Sequence, residues 1–186
     1  MVALLTGSSF LADTINEFYF ITGHRGSMVN NIYYLIEFSL INLCFIAIMP
    51  SLRKIASFIS LAFLIVFLLT TLYWQDIHTY QSITRLSGTA IFLYYTAFFY
   101  RDLMKDLPAD NIWLHPPFWI VFAFFLYYSL NLVVFSLSHF FFTELPPRYG
   151  ALLWIYHSLA EIFKNGLLFW GLFVSAKDVT HSYKTV

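Results

Sequence analysis

Residues 154–173 read WIYHSLAEIFKNGLLFWGLF. The stretch is apolar enough and long enough to cross a bilayer as a helix, yet it carries His157, Glu161, Lys164 and Asn165. Spacings of four, then three or four, place these side chains on one stripe of an α-helix. A carboxylate near mid-membrane costs roughly 2.5–3.5 kcal/mol even on the lenient insertion scale, so it requires a partner or a wet cavity. The stretch therefore predicts a membrane helix bundle with a polar interior.

Composition extends that reading to the whole chain. Of 186 residues, 60% are hydrophobic and 11% charged, and the mean hydropathy is +0.71. The expected class is all-α, a polytopic transmembrane helix bundle. A transmembrane β-barrel would show alternating ten-residue segments, whereas the apolar runs here are unbroken. Ten Lys and Arg balance ten Asp and Glu, which gives no basis for nucleic-acid binding or a polybasic lipid anchor. The single cysteine, Cys44, lies in an apolar run and excludes an internal disulfide and CxxC chemistry. The first segment lacks a basic leader region and reads as a helix of the bundle rather than a cleavable signal.

Working outward, six spans are expected, at roughly 2–20, 31–49, 55–74, 83–100, 118–139 and 151–173. They form one domain over residues 1–186, with no repeat or linker between them. Pro50 ends the second span, Pro116 and Pro117 open the fifth, and Pro146, Pro147 and Gly150 mark the turn before the sixth. Cations in the short loops set the orientation. Arg53, Lys54, Arg101, Lys105, Lys177 and Lys184 fall on one side, against Arg25, Arg85 and Arg148 on the other. The side with six is expected to be cytoplasmic, which puts both termini inside and the 75–82 loop, including Gln81, outside. Tyr73, Trp74, Tyr149 and Trp154 then fall at the outer interface, and Trp113, Trp119 and Trp170 at the inner one, as ordinary aromatic belts.

With directions assigned, helical rise gives depth. Asp13 lies ~10 Å below the outer surface, Glu37 and His157 ~9 Å, and Asn131 ~12 Å, with Glu161 one turn deeper. Four helices thus place a polar group at one level. Thr6, Ser9, Asp13 and Glu17 form a polar stripe on the first segment, which either lines a cavity or lies flat at the interface. An acidic stripe favours the cavity. The expected ligand-binding set is Asp13, Glu17, Glu37, Asn131, His157, Glu161 and Lys164. The plainer alternative is interhelical hydrogen bonding, worth ~0.6 kcal/mol on average, which suits Asn131 and Asn42 better than the acids. Arg85 is expected to reach toward lipid headgroups, or else to act as a counter-ion to the acidic pocket. His157 and Glu161 have the i, i+4 spacing of metal ligands, but one such pair falls short of a zinc site, and no HExxH, GxSxG, P-loop or GxGxxG motif is present. No cofactor or metal is expected.

The stretches NNIYYLIEF (30–38), PPFWIVFAFFLYYSLNLVVF (116–135) and WIYHSLAEIFKNGLLFWGLF (154–173) resemble a group of bacterial multi-helix membrane proteins. These are similar to the membrane halves of seven-helix sensors and are often encoded beside histidine kinases. The resemblance implies a helix preceding the first one here, so that the chain is a six-helix variant or one helix short of seven. It carries over no catalytic residue. The expectation is an integral membrane sensor or signal-relay protein with a small-ligand or proton-responsive cavity in its outer half. Excess acid suits a small cation or a proton. The output would pass to a separate cytoplasmic signalling protein, because the loop from Arg101 to Pro117 is too short to be a domain. A proton-coupled carrier is the second reading, a metal-dependent membrane enzyme the third and a structural subunit of a larger complex the fourth.

Overall fold

The computed structural model describes residues 27–105 and 112–182, together with Leu4, Gly7, Ser8, Leu11, Thr14 and Ile15. Every regular element among the described residues is helical. The long helices are α1 (Ser27–Ile48), α2 (Arg53–Leu69), α3 (Ser82–Lys105), α4 (Pro116–Thr143) and α5 (Pro147–Ser182). Short 3-10 turns at Pro50–Leu52 and Ile112–Leu114 precede α2 and α4, and a π-helical turn, Thr70–Trp74, ends the α2 rod. Among the described residues, three helical stretches are long and apolar enough to cross a membrane: Met28–Ile48, Pro50–Trp74 and Pro116–Ser138. At 21 residues the shortest of these spans ~31 Å, the thickness of a hydrocarbon core. The polar residues of α3 (Ser82, Thr84, Arg85, Ser87, Thr89) and of α5 (His157, Glu161, Lys164, Asn165) dilute their apolar content. The first expected span lies largely outside the described residues.

Prolines place the starts. Pro50 and Pro116 each occupy a first helical position, where the missing N–H costs nothing. His115 enters α4 with extended backbone, the conformation favoured before proline.

The chain divides into two compact units, Met1–Gly88 and Thr89–Val186, with the division inside α3. In the first unit, α1 lays Phe38 flat on Phe63 of α2, ring centroids 3.7 Å apart, with Tyr34 edge-on to the same ring at 6.1 Å. Asn42 donates from Nδ2 to the Ser60 hydroxyl across the same pair of helices. The buried face of α2 is narrow (Ala56, Phe63, Phe67), so most of that helix is exposed to its surroundings. Gly88 lies where the Tyr34 hydroxyl approaches, and a β-carbon there would occupy the hydroxyl's position.

The loop after the π-turn is built by side chains. Asn31 of α1 donates from Nδ2 to the carbonyls of Ile77 and Thr79, at 2.8 and 2.7 Å. Asp76 accepts the His78 amide at 2.9 Å, an Asx turn. Gln81 is buried and donates to the Thr71 hydroxyl at 2.8 Å. It is therefore a structural element of the loop rather than the accessible external residue its position predicts.

The second unit is dominated by the α4–α5 hairpin. Gly171 permits the close crossing near its end, since a β-carbon there would come within 3.2 Å of Trp119 Cβ. Trp119 donates from Nε1 to the Trp113 carbonyl at 2.8 Å and meets Trp170 edge-on at 6.3 Å. From His157 to Val174 the buried stripe of α5 is His157, Ala160, Lys164, Leu168, Gly171 and Val174. Two of its six residues are ionisable, and that fixes where the chemistry of this unit lies.

Candidate functional site

Tyr127 and Asn131 stand one turn apart on α4. Asn131 is fully buried and donates from Nδ2 back to the Tyr127 carbonyl at 2.9 Å. This bond decides which way the amide points. Turning it over would set Oδ1 against a carbonyl oxygen, two acceptors face to face. Oδ1 is therefore the atom presented to α5, where it lies 2.7 Å from His157 Nδ1. An acceptor on one side requires a donor on the other, so His157 carries its proton on Nδ1. In the neutral ring, Nε2 is then the nitrogen with the lone pair.

Three aromatic rings surround the imidazole of His157, which is itself 7% exposed. Trp154 lies at 4.9 Å between ring centroids, Phe135 at 5.7 Å and Tyr127 at 5.9 Å. Such faces stabilise a cation, whereas burial disfavours one, so the ring's charge is set by a balance of opposed effects.

Below His157, Lys164 is 1% exposed. Its Nζ donates to Glu161 Oε1 at 3.2 Å and sits 4.3 Å from the centre of the Tyr127 ring. The ammonium has exchanged water for a carboxylate and a π-face, the two partners a buried cation needs. Glu161 is the more open member, at 25% side-chain exposure. Removing Glu161 would therefore strand Lys164 more severely than the reverse.

Four of the seven expected site residues, Asn131, His157, Glu161 and Lys164, are thus brought together by α4 and α5. Tyr127 joins them, and sequence reading missed it. It contacts both halves of the cluster, through its carbonyl to Asn131 and through its ring to His157 and Lys164. The available signal was its i−4 relation to Asn131 on one helix stripe.

Glu37 lies on α1 in the first unit, 4% exposed. Asp13 and Glu17 lie outside the described residues. A cavity of about 350 Å³ in the first unit is lined by Ser8, Leu11, Ile15, Val29, Ile32, Tyr33 and Ile36, an apolar wall with one serine and one tyrosine rather than an acidic pocket. Arg85 does not reach for headgroups. It is buried between the rings of Tyr34 and Tyr80, each 4.8 Å from its guanidinium carbon, and donates to the Asn30 carbonyl at 3.2 Å. Two π-faces and a carbonyl compensate the guanidinium for lost water, and that explains the departure from expectation.

Among the described residues, no three His, Cys, Asp or Glu side chains group as a metal would require. The cluster is suited to holding, moving or sensing a proton. No protein-family model, curated protein or solved structure matches this chain.

Proposed function

We propose that this chain is an integral membrane sensor or signal-relay protein, and that the α4–α5 cluster is its proton- or ligand-responsive element. In this reading the chain spans the membrane six times, with its C-terminus in the cytoplasm of a bacterial cell. It hands its signal to a separate cytoplasmic protein, as the resemblance to sensor membrane halves implies. The observation that carries the proposal is the buried hydrogen bond from His157 Nδ1 to Asn131 Oδ1. It holds the ring in place in the neutral and charged forms alike, and in the neutral form it sets the tautomer. A proton arriving at Nε2 would change the charge of the site without releasing the ring from α4. Glu161 and Lys164, one and two turns along the same helix, about 6 and 10 Å by helical rise, would feel that charge through low-dielectric surroundings. A small cation would be read by the same groups.

Trp154 supplies the test. Its indole lies against the imidazole, and an imidazolium quenches a neighbouring indole. The protein reconstituted in vesicles should therefore show tryptophan emission that falls as pH is lowered through the His157 titration. Both His157→Gln and Trp154→Phe should abolish that dependence. Emission insensitive to pH, or a dependence that survives His157→Gln, would overturn the proposal.

The proton-coupled carrier remains the second reading, favoured by the single stripe His157, Glu161, Lys164 on α5, a chain of titratable groups spaced by helical turns. Proton uptake into vesicles that is lost in Glu161→Gln would select it over sensing.

A further inference from the structure

The cluster occupies one edge of α5, and the adjoining face of that helix has a pattern of its own. Ile155, Ser158, Ile162, Asn165, Phe169 and Leu172 follow each other at spacings of three, four, three, four and three. This is the 3.5-residue repeat of a left-handed helix seam. None of the six is buried, and Ile162 and Phe169 are 67% and 71% exposed. Five suit a hydrocarbon environment. Ser158 satisfies its hydroxyl on its own helix, at the Trp154 carbonyl 3.0 Å away. Asn165 is different: its amide makes no hydrogen bond among the described residues.

We propose that this face of α5 is a contact between two copies of the chain, with Asn165 at the two-fold axis. The inference rests on α5 crossing the bilayer, as in the proposed function. Lipid tails offer an amide nothing to bond, while a facing helix does. A second copy fits better than an unrelated helix because an amide is self-complementary. It carries a donor and an acceptor, so two Asn165 side chains meeting across a two-fold axis satisfy each other reciprocally. One asparagine within an otherwise apolar seam also fixes register, since a slip of one turn would leave both amides unpaired. The seam lies beside the Glu161–Lys164 pair on the same helix, so a change of charge there would act directly on the paired helices.

The test uses the full chain with Cys44→Ser, reconstituted in vesicles, carrying one new cysteine at a time between residues 155 and 172. Oxidation should cross-link copies at 155, 158, 162, 169 and 172, and not at Leu159, Phe163 or Trp170 on the other faces. Adding Asn165→Leu to the 158 cysteine should lower cross-linking about tenfold, within the measured range for polar contacts between membrane helices. Cysteines shielded from aqueous maleimide but cross-linking nowhere, or equally everywhere, would overturn the seam alone. Cysteines at 158–165 that all react with aqueous maleimide would overturn the membrane placement of α5, and the seam with it.

Discussion

At the residue scale, the energetics of the cluster centre on Lys164. Its ammonium is almost wholly buried, with the Glu161 carboxylate and the Tyr127 ring among its contacts. Glu161→Gln keeps the volume and leaves an amide oxygen near Nζ, but it removes the compensating charge. The expected loss is about 1–3 kcal/mol, less than for a fully buried pair because Glu161 is partly exposed. Replacing Lys164 with Met in the same chain removes the stranded cation and fills the site with an apolar side chain of similar length. The double variant should therefore recover most of the stability lost in Glu161→Gln. Thermal unfolding of the three proteins in one detergent measures this. A double variant no more stable than Glu161→Gln would mean that the pair does not carry the burial of Lys164.

At the element scale, the first unit depends on how closely α1 approaches the start of α3. Tyr34 reaches across from α1, donating its hydroxyl to the Arg85 carbonyl at 3.1 Å and lying against Gly88. Gly88→Ala should destabilise this unit by about 1–3 kcal/mol, because the new methyl and the hydroxyl compete for one space. Tyr34→Phe removes the oxygen and should restore part of the loss, a coupling that a double-mutant cycle reads directly. Additive single effects would place the source of the strain elsewhere. Much of this was legible beforehand: the α1 and α4 ends follow from Pro50, Pro116 and Pro117, and each expected span from the second to the sixth corresponds to a helical stretch. The α5 helix runs on to Ser182, beyond the apolar residues that predict it. Helix continues wherever its backbone bonds are satisfied, whereas hydropathy marks only the part suited to lipid.

At the scale of the whole molecule, the governing quantity is the asymmetry of cations between alternate loops, six against three. It predicts that Lys184 lies inside and the 75–82 loop outside. The outer reporter should be His78, which is exposed, rather than the buried Gln81. In a Cys44→Ser background, cysteines at 78 and 184 should react with membrane-impermeant maleimide from opposite sides of intact cells. Labelling from the same side would overturn the six-span topology and with it the assignment of the cluster to the outer half.

By itself the sequence determined the helical class, the positions of the long helices, and the fact that His157, Glu161 and Lys164 share one stripe. All three are local properties, set by apolar run length, by proline and by a period of 3.6 residues. Only the tertiary structure decided that Asn131 faces His157, that Tyr127 joins the two halves of the cluster, and that Arg85 turns inward between two tyrosine rings. It also placed Glu37 in a different unit from the cluster, although both have similar depth by helical rise. Depth along a helix follows from counting residues, but partnership depends on how each helix is rotated and crossed against its neighbour. Interdigitation of side chains fixes that, and no single helix encodes it.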